Sequence, residues 1–151
     1  MKTSIKLPKK QFYLLVISMG VILLALSAEV MLMAKDMNLY DQWFKEAVLA
    51  GLETSYDESF SMYLSLNLSD FFLKAIVPMA MGVYTYFAYV KIRVNKLFVF
   101  IWTVLLVGAA AYVIAGGNFD SVFFYIILIS YLTAVISILS LVNVIDESKY
   151  V

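Results

Sequence analysis

The sequence predicts an all-α integral membrane protein: a four-transmembrane-helix bundle with an amphipathic helical outer loop between helices one and two. Three observations predict this fold. Hydrophobic residues make up 64% of the 151 residues, whereas soluble proteins contain about 45–50%. Four long apolar segments approach or exceed the roughly 20 residues that a helix needs to cross a ~30 Å hydrocarbon core. Nearly all of the positive charge lies on one side of these segments.

The apolar segments divide the chain into the spans and loops of a single membrane domain, residues 1–151. The predicted spans, in chain order, are residues 11–34, 71–90, 97–115 and 121–144. An outer loop at 35–70 joins the first two spans, and an inner loop at 91–96 joins the second and third. A turn at 116–120 joins the third and fourth spans. Because this turn and the inner loop are short, we expect the second, third and fourth spans to pack as antiparallel neighbours.

The first segment resembles a secretory signal, because lysines precede an apolar stretch and residues 25–27 resemble a cleavage site. The apolar run continues past Ser27 to Ala34, however, and this length is enough to span the membrane. Cleavage after Ser27 would leave only three spans. We therefore expect the first segment to be retained as a helix.

The distribution of charge predicts the orientation. One side of the four segments carries eight of the 11 Lys and Arg residues: Lys2, Lys6, Lys9, Lys10, Lys91, Arg93, Lys96 and Lys149. The other side carries Lys35 and Lys45 among a majority of the acidic residues. Short loops rich in Lys and Arg remain in the cytoplasm. We therefore expect a multi-pass protein of the cell membrane with both termini in the cytoplasm.

The outer loop contains a helical pattern. Between Asn38 and Leu52, apolar residues recur every three or four positions and charged residues occupy the remaining arc, which predicts an amphipathic helix. Tyr40, Trp43 and Phe44 lie on its apolar face, and we expect them to contact a partner or the membrane surface. The helix forms a docking surface or a lid, or it only covers the ends of the spans.

Two signals compete in the second half of this loop. Residues 55–58 fit a capping box, in which a serine hydroxyl and a glutamate carboxylate bind free amides at the start of a helix. Residues 60–68 instead place apolar side chains on alternate positions, which is typical of a strand. Because a lone strand beside a bilayer has no partner for its edge, we favour a short helix that leads into the second span.

Glu29 and Lys74 are the charges that lie well inside the predicted spans. Counted from the outer ends of the spans at ~1.5 Å per residue, they lie about 7.5 and 6 Å below the same boundary. Similar depth and opposite sign predict an intramembrane ion pair, which reduces the ~2.5–3.5 kcal/mol cost of a charge in the membrane. The pair is structural, or Glu29 binds a cation or carries a proton in transport.

Small and hydroxylic side chains follow one face of each of the last two segments. In the third segment they are Gly108, Ala111 and Ala115, and in the fourth they are Ser130, Thr133, Ser137 and Ser140. Small residues let helices approach closely, and hydroxyls bond across helices or back to their own. We predict that these faces form the seam between the third and fourth spans. A seam against another subunit and a polar pathway are the alternatives.

Composition excludes several functions. The chain contains no cysteine and no histidine, and therefore lacks disulfides, thiolate nucleophiles and the commonest general base and metal ligand. It carries no catalytic sequence motif, and its zero net charge gives no argument for nucleic acid. We therefore expect no enzymatic activity, no cofactor, no metal and no nucleic-acid partner.

Two functional hypotheses remain. The first is a non-catalytic multi-pass membrane interaction protein, that is, an accessory, regulatory or immunity-type subunit of a larger membrane assembly. The alternative is a small oligomeric transporter or channel that uses Glu29 and Lys74. In either case we expect the lipid bilayer as one partner, together with a protein in the membrane or further copies of this chain.

Overall fold

The computed structural model describes residues 4–51, 53–116 and 119–147, and within these ranges the chain forms five α-helices. They are α1 (Lys9–Lys35), α2 (Met37–Leu49), α3 (Tyr56–Val90), α4 (Lys96–Ala115) and α5 (Val122–Glu147). All except α2 are long and apolar enough to cross a membrane. The fold is thus all-helical over the described residues, and the four long helices indicate a multi-pass membrane protein.

The four long helices pack as a ring around one apolar core. Helix α1 contacts both α3 and α5, and α4 closes the ring against α5 and, less extensively, against α3. Leu15 and Ile22 of α1, Met81 of α3, Leu106 of α4 and Ile138 of α5 are fully buried in this core. The expected contacts between successive spans, α3 with α4 and α4 with α5, are therefore confirmed.

Helix α3 is longer than the sequence predicted. It runs without interruption over 35 residues, which corresponds to about 52 Å at ~1.5 Å per residue. A hydrocarbon core is ~30 Å thick, so α3 is about 15 residues longer than a span requires. We call residues 56–69, which precede the span predicted at 71–90, the projecting part of α3. The alternating pattern at 60–68 belongs to this helix and not to a strand, as the capping signal favoured.

Polar side chains in the projecting part of α3 bond within their own helix. The Ser55 hydroxyl accepts a hydrogen bond from the Glu58 amide at 3.4 Å, which confirms the serine half of the predicted capping box. Further along, the hydroxyls of Ser65 and Ser69 each donate to the carbonyl four residues earlier at 2.8 Å. Because these groups find partners inside one helix, the segment needs no strand partner.

Helix α2 packs on the projecting part of α3 through a cluster of aromatic rings. The Tyr40 ring is fully buried and lies 4.8 to 5.3 Å, between centroids, from the rings of Tyr56, Phe60 and Tyr63. The Tyr40 hydroxyl donates to the Tyr56 carbonyl, and the Tyr56 hydroxyl donates to Asp41 at 2.5 Å. We call α2 together with residues 56–69 the outer cap.

The two ends of α2 are also fixed. Asp36 caps its start by accepting a hydrogen bond from the Asn38 amide at 3.0 Å. Gly51 follows its end with a φ of 98°, a left-handed conformation that glycine adopts without strain. Leu52, to which the predicted helix extended, lies outside the described residues. A helix is therefore present where the outer-loop pattern predicted one.

The opposite end of the bundle is held by a backbone pairing. The amide of Ile5 donates to the Val94 carbonyl at 2.9 Å, and the amide of Val94 donates to the Ile5 carbonyl at 2.8 Å. Leu7 and Val94 are buried beside this pairing. The N-terminal segment and the loop between α3 and α4 thus lie at the same end, as the charge distribution required. Lys2 and Lys149 lie outside the described residues.

Removal of the Tyr40 ring is expected to release α2 from α3. Replacement of a buried aromatic ring by alanine costs about 3–5 kcal/mol. In the Tyr40→Ala variant, amide exchange in α2 should therefore accelerate by about two orders of magnitude or more. Hydrogen exchange of the protein in detergent micelles would measure this change.

Tyr40→Phe is the matched control, because it keeps the ring and removes only the hydroxyl, a loss of about 1 kcal/mol. Exchange in α5 should be the same in both variants, since α5 does not contact α2. Equal exchange of α2 in wild type and Tyr40→Ala would contradict the role that we assign to this ring.

Candidate functional site

Polar side chains converge in one cleft at the outer end of the bundle. The cleft has a volume of about 170 Å³ and is lined by residues of α1, α3, α4 and α5. Its polar lining consists of Glu29 from α1 and of Asn67, Asp70 and Lys74 from α3. We call it the outer cleft. It contains both of the intramembrane charges that the sequence singled out.

The ion pair in this cleft differs from the predicted one. The Lys74 ammonium lies 2.6 Å from the Asp70 carboxylate. Among the described residues, no ion pair within 4.0 Å joins Glu29 and Lys74. The physical reason is local, because residues four apart on a helix are neighbours, whereas Glu29 must reach across from α1. Counting residues from the ends of the predicted spans correctly indicated that Glu29 and Lys74 lie close together, but it did not identify Asp70 as the partner of Lys74.

Glu29 is the carboxylate that remains available in the outer cleft. Asp70 is engaged twice, by Lys74 and by the Tyr112 hydroxyl, which donates to it at 3.3 Å. Glu29 makes no hydrogen bond or ion pair with the described part of the chain. Two carboxylates and one ammonium group leave one net negative charge, so the cleft can accept a small cationic group.

The floor of the outer cleft is apolar. Leu26, Val113, Phe124 and Ile127 line the cleft and are all buried. The polar part therefore ends about two helical turns from the outer boundary. Across residues 4–51, 53–116 and 119–147, no group of three or more His, Cys, Asp or Glu side chains could hold a metal ion.

The residues predicted to form the outer docking surface differ in exposure. Tyr40 is fully buried under the aromatic cluster, whereas Trp43 and Phe44 are half-buried. Burial, together with the carboxylates of Asp57 and Asp41, raises the pKa of the Tyr40 phenol. Tyr40 therefore holds the cap together, and of these three residues only Trp43 and Phe44 have surface that another molecule could contact.

The two faces predicted to form a seam between α4 and α5 do not meet. Ser130 and Ser137 on α5 are buried and Thr133 is half-buried, whereas Gly108, Ala111 and Ala115 on α4 are exposed. The α4 side chains that are buried are instead larger apolar ones: Phe98, Val99, Trp102, Leu106 and Val113.

Two physical reasons account for this error. The hydroxyls of Ser130 and Thr133 donate to carbonyls of their own helix at 2.8 and 2.9 Å, so they need no partner on α4. The side chains of α4 are apolar on every face, so periodicity could not tell which face packs inward. The exposed small residues leave open the predicted alternative, a seam against another subunit.

Sequence reasoning missed an uncharged stripe along α3. Nine exposed residues follow one another at alternating spacings of four and three: Met62, Leu66, Ser69, Leu73, Ile76, Ala80, Val83, Phe87 and Val90. We call this set the α3 stripe. A heptad spacing over four repeats is the signal that could have revealed it. It was hidden because residues 60–68 and 71–90 were read as separate elements.

No protein-family model, curated protein or solved structure matches this chain. No activity can therefore be inferred by analogy with a similar protein, and the function must be argued from the surfaces of this chain. The surfaces available for that argument are the outer cap, the α3 stripe and the outer cleft.

The corrected ion pair has a consequence for stability. The Lys74 side chain is only 12% exposed, and removal of its partner leaves a nearly buried ammonium group unpaired. Asp70→Asn should therefore lower the free energy of unfolding by roughly 1–3 kcal/mol. Glu29→Gln should have a smaller effect, since Glu29 does not contact Lys74. Thermal unfolding of both variants in one detergent would measure the difference, and a larger loss for Glu29→Gln would restore the pair predicted from the sequence.

Proposed function

We propose that this protein is a non-catalytic multi-pass membrane interaction protein, an accessory, regulatory or immunity-type subunit of a larger membrane assembly. The observation that supports the proposal is that the α3 stripe continues into the outer cap, along a helix longer than a membrane span requires. Lipid can cover an apolar stripe inside the bilayer. Outside it, only another macromolecule removes apolar side chains from water.

The charge distribution supports a location in the cell membrane with both termini in the cytoplasm. Lys6, Lys91, Arg93 and Lys96 lie at the end of the bundle that the Ile5–Val94 pairing holds together. Short loops with this composition remain on the cytoplasmic side. The outer cap then lies on the opposite, external side.

Contacts between α3 and α4 support a boundary near Asp70. The hydroxyl of Tyr112, one turn from the end of α4, donates to Asp70, and Gly116 lines the same cleft. Residues 56–69 of α3 thus extend beyond the end of α4. In this projecting part, Met62 and Leu66 are exposed. Apolar side chains exposed together on a projecting helix are typical of interaction surfaces.

The occupant that fits the stripe is a single long helix of a partner membrane protein. A heptad spacing matches two helices that coil around each other in a left-handed sense. Ser69 and Ala80 are small and allow close approach, and no stripe residue carries a charge that a partner must neutralise. Because the stripe crosses the boundary, the partner helix must also continue from the bilayer into the external water.

The absence of cysteine allows a direct test with single-cysteine variants. Leu66 and Leu68 are a matched pair, because both are leucines that are 49% exposed. Two residues along an α-helix correspond to about 200° of rotation, so they face different directions. In native membranes, a photoactivatable thiol probe on Leu66→Cys should cross-link to a second protein several-fold more than the same probe on Leu68→Cys.

Two outcomes would count against the proposal. Equal cross-linking from both positions would mean that the stripe has no preferred contact. Cross-linked products that contain only copies of this chain would indicate a homo-oligomer and not a larger assembly, and would favour the alternative function.

The alternative is a small oligomeric transporter or channel that uses Glu29 and Lys74. The unengaged carboxylate of Glu29 in the outer cleft favours it, whereas the buried apolar floor counts against it. We expect proteoliposomes to pass protons and monovalent cations no faster than vesicles without protein. Flux that is abolished in Glu29→Gln, but retained in the exposed control Glu46→Gln on α2, would establish the alternative.

A further inference from the structure

A second cavity lies at the inner end of the bundle. It has a volume of about 420 Å³ and is formed between the N-terminal segment and the residues that end α3. Lys6, Lys91 and Arg93 line it, and no acidic side chain does. We call it the inner pocket. Sequence reasoning used these cations only to assign the orientation, and did not bring them together.

The walls of the inner pocket are fixed by contacts on both sides. The pairing of Ile5 with Val94 holds the N-terminal segment against the loop that carries Lys91 and Arg93. On the α3 side, the Tyr89 ring stacks on Phe12 with 4.2 Å between centroids. The Lys6 ammonium lies 5.8 Å from the centroid of the same Tyr89 ring, a cation–π contact. The pocket is thus part of the folded structure.

The charge of the inner pocket is not compensated within the described residues. Neither Lys6 nor Lys91 nor Arg93 lies within 4.0 Å of a carboxylate in that part of the chain. The next basic residue, Lys96, differs in this respect, because its ammonium lies 2.8 Å from Asp146. Three cations around one cavity repel one another, and a bound anion would offset this repulsion.

The remaining walls indicate what kind of anion fits. Ile5, Val90 and Ile92 contribute apolar surface to the same cavity, and the last two are exposed. The pocket lies where α3 ends, so it faces the zone in which lipid headgroups meet acyl chains. A ligand that satisfies both walls has a phosphate for the cations and a hydrocarbon part for the apolar side.

We propose that the inner pocket binds the phosphate-bearing headgroup of an anionic phospholipid from the adjacent leaflet. Basic pockets at the cytoplasmic ends of transmembrane helices bind anionic lipid headgroups in this way. Arg93 contributes a planar guanidinium that can bind two phosphate oxygens at once, whereas Lys6 and Lys91 act as point charges. The proposed lipid site does not depend on the partner protein proposed above.

The test compares two double variants that remove the same charge at the same end of the molecule. Lys91→Gln with Arg93→Gln removes two cations that line the pocket. Lys9→Gln with Lys10→Gln removes two exposed cations at the start of α1 that do not line it. The shift in melting temperature is measured in neutral detergent as phosphatidylglycerol is titrated. Parallel titrations use phosphatidylcholine and inorganic phosphate.

We expect phosphatidylglycerol to raise the melting temperature of the wild type and of the Lys9/Lys10 variant with similar apparent affinity. The Lys91/Arg93 variant should require about 30-fold more of this lipid or show no shift, since it loses two cations and each cation near a membrane surface contributes about 1 kcal/mol. Phosphatidylcholine should give no comparable shift. Equal melting of the three proteins without lipid would exclude a loss of folding as the cause.

Three results would overturn the proposal. Equal weakening in both double variants would mean that the lipid responds to general charge and not to the pocket. An equal response to phosphatidylcholine would remove the role of the anionic headgroup. A response to inorganic phosphate as strong as the response to the lipid would make the pocket a site for free phosphate.

Discussion

The unequal lengths of the spanning helices are the constraint on which the outer half of this molecule depends. A helix satisfies its own backbone hydrogen bonds, so it can leave the bilayer without a break. Helix α3 exceeds the length needed to cross a ~30 Å hydrocarbon core by about 22 Å, whereas α4 ends at Ala115. The projecting part must find contacts in water. Helix α2 covers one of its faces through the Tyr40 ring, and a different face, which carries Met62 and Leu66, stays uncovered.

The two ends of the bundle have opposite charge. The segregation of Lys and Arg from Asp and Glu, which favours one orientation, also brings charges of the same sign close together at each end. The outer cleft holds two carboxylates and one ammonium group, whereas the inner pocket holds three cations. An apolar core that includes Leu15, Ile22 and Leu106 separates them. The interior is not wholly apolar, because Thr85, Tyr131 and Ser137 place buried hydroxyl groups in it. The charged side chains of the outer cleft and of the inner pocket lie at the two ends of the bundle.

Much of this architecture could be predicted from the sequence, and the failures concern the direction in which side chains point. Hydropathy predicted the four long helices, and their ends agree within a few residues except for the start of α3, which lies 15 residues before residue 71. The direction in which each helix face points was harder to predict. Helix α4 is apolar on all sides, and its small residues, such as Gly108, were predicted to pack against α5 but are exposed. The same holds for Lys74, whose partner depends on side-chain reach and not on depth. Residues 60–68 carry overlapping strand and helix patterns; the favoured helix is present, but as part of α3 and not as a separate short element.

The physics of the membrane divides the α3 stripe into two parts with different roles. Inside the bilayer, a partner helix replaces lipid tails of similar polarity, so association there gains little from the hydrophobic effect and depends on close packing. Ala80, flanked by the larger Ile76 and Val83, favours such packing. Outside the bilayer, burial of Met62 and Leu66 removes apolar surface from water at about 25 cal/mol per Å². In the proposed complex, the projecting part would contribute most of the affinity, and the membrane part would set the register. A helix only as long as a span could not combine these two contributions, so the proposal gives the extra length of α3 a physical reason.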